Sequence, residues 1–252
     1  MLEAFALILL GTCFFGSSFQ LSVRGVRRYG GSFVTKASSL KIAVRLVSCI
    51  QAVGATAVGV YTVFTCPDVL YDKSVWLQRY VYFGLPYLIY DLRAMYHAHS
   101  AEHGNNVRVF MQYKGSVVIH HVALTAFGFP LIASWRRGLG DFFVGCIFCA
   151  EMSTIFLSLN MILKHLEMKE TIWYTISGMM LMISFFICRI LVFPFMFWMY
   201  GKYHGRLTLL EVPSSIPWFC TAGCCLVFLF QAYWFSIIFV KTITGLYGKL
   251  YQ

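Results

Sequence analysis

The stretch TIWYTISGMMLMISFFICRILVFPFMFWMY, residues 171–200, decides the class of fold: thirty positions carry one charge, Arg189. About 20 apolar residues suffice for an α-helix to cross the hydrocarbon core of a bilayer, so this segment spans it with residues to spare. The same reading extends in both directions along the chain. Apolar runs of spanning length recur at residues 4–21, 42–65, 76–96, 117–135, 142–163 and 217–240, each closed by a charge cluster or by turn residues. The expected fold is all-α, a polytopic membrane helix bundle of about seven transmembrane helices.

Composition agrees with that expectation. The 252 residues are 59% hydrophobic and 12% charged, with a mean hydropathy of +0.71. A soluble domain carries about 25% charged residues, so this chain lacks the polar surface to face water all round. The formal net charge of +10 sits in loops between apolar runs. That placement reads as topological signalling, with anionic headgroups or a phosphorylated substrate as lesser uses. No nucleic-acid motif accompanies it, so no nucleic-acid partner is expected. Cysteine is odd in number, at nine, and Cys146, Cys149, Cys188, Cys220, Cys224 and Cys225 lie in apolar runs. No disulfide framework is expected, and Cys146-x-x-Cys149 reads as small apolar packing residues.

The small residues Gly54, Ala55, Thr56 and Ala57 predict close helix–helix contact, and Trp76, Tyr80 and Tyr82 predict interfacial anchors. Pro130 and Pro194 predict kinks. The first run is preceded by Glu3 and followed by Arg24, Arg27 and Arg28, the reverse of a secretory signal. It reads as an uncleaved anchor with its N-terminus outside or lumenal. With seven spans, the cytosolic parts would hold twelve cations: Arg24, Arg27, Arg28, Lys36, Lys41, Arg93, Arg108, Lys114, Lys164, Lys169, Lys241 and Lys249. The lumenal loops would hold six, Lys73, Arg79, Arg136, Arg137, Lys202 and Arg206. The excess places the C-terminus in the cytosol.

Ionisable residues inside membrane spans cost a few kcal/mol each and default to functional or pairing roles. Six qualify, Arg45, Asp91, His120, His121, Glu151 and Arg189, with Asp141 at the edge of its span. The plainest account pairs Arg45 and Arg189 with Asp91 and Glu151. The adjacent histidines resist it. Neighbours on a helix point about 100° apart, so one His is expected to reach a reacting group while the other orients it or bonds a carboxylate. Neutral imidazole is a nucleophile and general base near pH 7, which suits acyl transfer. Glu151, Thr154 and Ser158 fall at i, i+3 and i+7 and so share one helix face, expected to look into the bundle. Asp91 could accept a proton, fix a His tautomer or pair with an Arg.

Metal chemistry is the rival. His97, His99 and His103 form a His-rich loop ahead of His120–His121. A membrane di-iron centre needs roughly eight well-placed histidines, and this chain has seven, His165 and His204 among them standing alone. No metal is expected. Gly-rich phosphate loops, nucleophile elbows and zinc-protease motifs are absent from the sequence.

The order of these features resembles the TLC-domain family. The resemblance is carried by the Tyr-Asp segment 87–91, His120-His121, Gly140-Asp141-Phe142-Phe143-Val144-Gly145, and Ala150-Glu151-Met152-Ser153-Thr154. Arg45-Leu46-Val47-Ser48 and the segment 187–195 around Arg189 and Pro194 look like the subgroup called TLC domain-containing protein 3. The likeness runs over about residues 35–245, leaving 1–34 as an added transmembrane anchor and basic loop and 246–252 as a short tail. Ceramide synthases, also in the family, join a fatty acyl-CoA to a sphingoid base amine with paired histidines. The resemblance implies His120 and His121 as catalytic residues with Glu151 as the matching acid; the buried charges add Asp91 to the catalytic set, and Arg45, Arg189, Thr154 and Ser158 are read as substrate-binding residues. Acyl-CoA would be a co-substrate, with no bound cofactor. The partners implied are membrane lipids (sphingoid base, acyl-CoA, ceramide), with membrane-protein partners or a homodimer as further candidates. One departure stands out: counted without gaps from His120, the further His-Asp of the synthases falls on Ile147-Phe148, and Glu151 alone matches an acid. Two functional readings stay open, a ceramide synthase-like N-acyltransferase and a non-catalytic lipid-binding protein that regulates membrane composition, with a scaffold role as a third. The endoplasmic reticulum is the expected compartment, the Golgi or plasma membrane the alternatives.

Overall fold

The computed structural model describes residues 1–31, 34–205 and 207–250, the side chains of 246–250 excepted. Arg206, the side chain of Lys249 and residues 251–252 therefore lie outside the described residues. Among the described residues the chain is all-α, with no strand. Eight helices follow in order: α1 (Leu2–Tyr29), α2 (Lys36–Thr65), α3 (Val75–His103), α4 (Val107–Trp135), α5 (Asp141–His165), α6 (Ile172–Tyr203), α7 (Val212–Ser215) and α8 (Trp218–Leu250). Six of them, α1, α2, α4, α5, α6 and α8, are long and apolar enough to cross a membrane. That is one fewer than the seven runs read from the sequence. The difference is α3, 29 residues long, whose Arg79, Asp91, Arg93 and tyrosines dilute its apolar character.

Most helices overrun their apolar stretches. A hydropathy window finds the lipid-facing part of a helix, whereas the helix itself ends where the backbone is capped or turned. Thr35, Ser74, Asn106 and Thr171 each accept a hydrogen bond from a backbone N–H of the next turn, satisfying groups the helix start leaves free. Gly104 ends α3 with φ at +78°, a conformation that costs a residue with a side chain. One consequence corrects the sequence reading: His97, His99 and His103 form the last turns of α3 and are not a loop.

The buried centre is α2, which packs against α1, α3 and α5. Its approach to α5 is set by facing glycines: a Cβ on Gly59 would stand 2.7 Å from the Gly145 carbonyl oxygen and 2.8 Å from the Cys149 nitrogen. Small residues let two backbones approach this closely, and in lipid such packing drives helix association. Gly11 plays the same part between α1 and α3, against the Phe83 carbonyl. Phe15 and Val47, both buried, join Tyr87 in the core that follows. In contrast, α4 and α8 bury little of their apolar windows. α4 leans on α3, and α8 leans on α6 and α7.

The loops at one end are tied by Asp141, the first residue of α5. Its Oδ2 accepts from the Ser74 backbone N–H at 2.6 Å, its other oxygen pairs with Arg136, and Ser74 accepts from Thr62 at 2.9 Å. Asp141 is wholly buried in this network, which joins the ends of α2, α3, α4 and α5. The opposite end carries most of the cations and is called here the basic end.

Three helices are interrupted at half-length. α5 breaks at Ala150 and Glu151, where i→i+3 bonds replace the α-pattern. α6 widens into a π-turn at Phe186–Ile190, just ahead of Pro194, whose ring cannot sit beside the Ile190 carbonyl in a regular helix. α4 has two π-turns, Leu124–Gly128 and Leu131–Trp135, on either side of Pro130. All nine cysteines are free.

Candidate functional site

The interruptions matter because the intramembrane charges sit beside them. At 1.5 Å of rise per residue, Ser48, Asp91, His120, Glu151 and Arg189 each lie roughly 18–26 Å from the basic end of their helices. They form a layer at half-depth, in two clusters.

The first cluster joins α2, α3 and α4. His121 is buried, its Nδ1 donates to the Leu88 carbonyl at 3.3 Å, and its Nε2 faces Asp91 Oδ2 at 3.6 Å. Asp91 is 4% exposed, so this carboxylate has no solvent to stabilise it. Its other oxygen lies 3.4 Å from the Ser48 hydroxyl, which in turn accepts from Tyr87 at 3.1 Å. Both ring nitrogens of His121 thus face acceptors. A hydrogen bond at both would need two protons on the ring or one on Asp91. His120 is different. It makes no hydrogen bond among the described residues, is half-buried, and has its ring 5.8 Å from His121 and 5.3 Å from Trp234 of α8.

The second cluster joins α5, α6 and α8 around Arg189. The Arg189 Nε donates to the Ala150 carbonyl at 3.1 Å and to Ser153 Oγ at 2.7 Å, and Nη2 donates to Thr154 at 2.9 Å and to Glu151 at 3.3 Å. Nη1 reaches Gln231 Oε1 of α8 at 3.4 Å. The break in α5 releases the Ala150 carbonyl, and the π-turn of α6 carries the guanidinium that takes it up. A side chain from the π-turn of α6 therefore helps to satisfy the irregular backbone of α5, the condition for irregular structure at membrane depth. Phe185 stacks on the guanidinium, its ring centroid 5.2 Å away.

The clusters meet through α8. Gln231 and Trp234 stand at i and i+3 on one face, the first on Arg189 and the second against His120. His120 is within electrostatic reach of Arg189, and Tyr87 of both Asp91 and Glu151.

Of the residues singled out in the sequence, the fold brings His121 to Asp91 and brings Arg189 to Glu151 and Thr154. Ser158 is fully buried with its hydroxyl unpartnered and does not join Arg189; Ser153 does. Arg45 lies nearer the basic end, within electrostatic reach of Asp91 but bonded to no described residue. Ser48, Ser153, Gln231 and Trp234 were not foreseen. Gln231 had a signal, since it is the one amide side chain in α8.

A TLC domain model matches residues 41–240, about four-fifths of the chain. The chain belongs to the TLC domain family. The matched region runs from the first turns of α2 into α8 and contains every residue of both clusters, whereas α1 precedes it. No solved structure matches the chain. Among TLC domain proteins the synthase His-Asp, counted onto this chain, would stand at Ile147, which is 49% exposed on the outside of α5, and at Phe148, which packs on Tyr80. Neither position reaches the histidines' cluster.

Proposed function

We propose that this TLC domain protein is a membrane-embedded N-acyltransferase of the ceramide synthase type, working on an acyl-CoA and a sphingoid base. One observation carries the reading: His120 is an unbonded imidazole at half-depth, beside a second imidazole whose Nδ1 is bonded to the Leu88 carbonyl and whose Nε2 faces Asp91. That division of labour is what general-base acyl transfer needs. His120 takes the proton of the sphingoid amine as the nitrogen attacks the thioester carbonyl, and gives it to the departing thiolate. The carbon–sulfur bond breaks, the amide forms and the free thiol leaves. His121 and Asp91 fix the turn of α4 that aims His120. Arg189 uses four of its five N–H groups on the partners named above, and the one left on Nη1 is free to meet the developing oxyanion. Thr154 and Glu151 hold that guanidinium still.

A second reading is favoured by the occupants of positions 147 and 148. With no second His-Asp and with Glu151 committed to Arg189, the same interior would hold a lipid without turning it over, regulating membrane composition. We further infer that α3 crosses the membrane as the seventh helix, that the basic end is cytosolic, and that the protein resides in the endoplasmic reticulum. The cation excess supports the orientation.

The test is turnover of labelled acyl-CoA and sphinganine by the purified protein in lipid nanodiscs, beside His120→Ala. Amide product that His120→Ala abolishes without loss of thermal stability is the expected result. No product, with saturable lipid retention that depends on Arg189, would overturn acyl transfer in favour of lipid holding.

A further inference from the structure

Topology accounts for cations at the basic end but not for their gathering on facing helices, and internal pairing there answers Lys41 alone among Lys41, Arg45, Lys114 and Lys164. Lys41 and Arg45 stand one turn apart on the inward side of α2, on the same face as Ser48 of the histidine cluster. Lys114 comes from α4, Lys164 and His165 from the end of α5, and His99 from α3. Three of these helices converge here: Leu40 and Val44 of α2 pack with Ala94 and Ala98 of α3 and Phe110 of α4, each one to five residues from a member of the set, and α5 packs on α2 as well. Lys114 and His165 are each within electrostatic reach of Lys41, Arg45 and Lys164. The nearby acid at the rim, Glu102, is already committed, paired with Lys41 and 3.4 Å from His103. Deeper in, Asp91 is held by His121 and Ser48.

Arg45, Lys114 and Lys164 make no hydrogen bond or ion pair among the described residues, yet Arg45 and Lys114 are half-buried. Cations gathered in partial shelter from water repel one another and lose hydration together. His99, 8% exposed, leaves its Nε2 without a partner, and so does the Ser100 hydroxyl beside it. Buried polar atoms in this state are rare in folded proteins and point to a group that completes them. A bound anion would relieve both faults at once. A carboxylate would offset one charge, whereas a phosphate carries up to two and has three oxygens to spread over helices that lie on different sides.

We propose that Lys41, Arg45, Lys114 and Lys164, with His99 and His165, form a binding site for a phosphate-bearing group at the basic end of the bundle. Its ligand is either the headgroup of an anionic membrane lipid or a soluble phosphorylated molecule. In both cases the phosphate is held at the rim, on the same face of α2 that leads down through Ser48 to Asp91 and His121. The site holds whether the interior transfers an acyl group or only retains a lipid, because it concerns the charge above that layer.

The test uses the full chain in phosphatidylcholine nanodiscs, read by thermal unfolding, with inorganic pyrophosphate added in one arm and phosphatidic acid mixed into the disc in the other. Saturable stabilisation in either arm is expected, and the arm that shows it identifies the source. Arg45→Gln with Lys114→Gln should raise the half-saturation point at least about tenfold, as expected when charge-assisted bonds are lost. Arg108→Gln, at the same end but outside the cluster, should leave it within about twofold. Lys114→Met supplies a readout of opposite sign: without anion it should raise the unfolding midpoint, since it removes repulsion, whereas loss of a structural contact would lower it. No saturable stabilisation in either arm, or equal weakening by Arg108→Gln, would overturn the proposal. Turnover is not measured, so failure of the acyl-transfer reading leaves this result intact.

Discussion

His120 and His121 are adjacent in sequence and opposite in circumstance, and their variants should separate accordingly. His121→Ala strands Asp91 in a buried position and should cost about 1–3 kcal/mol of stability, the penalty of an unsatisfied buried group. His120→Ala removes no bond and should stay within about 0.5 kcal/mol of the parent. Thermal unfolding of both variants in the same lipid checks this, and equal losses would contradict the assignment of roles. Arg189→Met leaves Glu151 without its cation. Because the Glu151 side chain is 30% exposed, the loss should be about 2–3 kcal/mol, below that of a fully buried pair. Adding Glu151→Gln should recover part of it, which a double-mutant cycle would measure. At this scale the charges were legible in the sequence because ionisable residues are scarce in membrane spans. Their partners were not. Ser48 and Ser153 look like the small residues that ordinary helix packing uses, and only the three-dimensional approach of α3 and α6 gives them work.

At the scale of the element, seven apolar runs marked where helices lie, and every one of them is helical. What hydropathy left out was where each helix stops, which depends on caps such as Asn106 and turns such as Gly104, and not on charge. It also left out the irregular turns. Pro130 and Pro194 announced a disturbance, yet its form, π-turns displaced toward the N-terminal side of Pro194 and on both sides of Pro130, follows from which carbonyls the ring displaces. The small-residue segment at 54–57 marked α2 as a contact helix, and Gly54 does meet Tyr80 of α3, while the backbone approach to α5 lies further on, at Gly59. Gly59→Leu should therefore push α5 off α2 and lower stability by about 1–3 kcal/mol, as overpacking does, whereas Gly16→Leu on α1, with open space around it, should have little effect. Unfolding midpoints of the two variants decide it.

For the whole molecule, the number of crossings is the property that composition alone leaves undecided, and α3 decides it. If α3 crosses, the segment 66–74 before it and the segment 104–106 after it lie on opposite sides of the membrane. Glycosylation acceptors placed in each should then be modified in the first and not in the second; modification of both or of neither would remove α3 from the spanning set. The loop at 66–74 also carries a pH dependence. Asp68 is held below the usual carboxylate range by the Tyr203 hydroxyl first and by the backbone N–H groups of Tyr71 and Leu70 after it. A depressed folded value means that its contribution is present at neutral pH and fades as pH falls below the ordinary carboxylate value toward the folded one. Limited proteolysis of this loop should accordingly accelerate only in acid, and Asp68→Asn should bring the acid behaviour to neutral pH.

The division of burial among the helices bears on how the protein is made. α1 through α6 contain the tight crossings, the Asp141 network and the pairing of Arg189 with Glu151. Gln231 and Trp234, which join the two clusters, arrive on α8, which leaves the ribosome after α1 through α6. During synthesis the histidine side of the interior therefore stays open to lipid until α8 inserts, and a chain stopped after Ser215 would be a well-packed membrane protein with an unfinished interior. Quality control that senses misfolding alone would have little reason to remove it, so nonsense changes between α7 and α8 should yield stable protein with that interior unfinished and not simple absence.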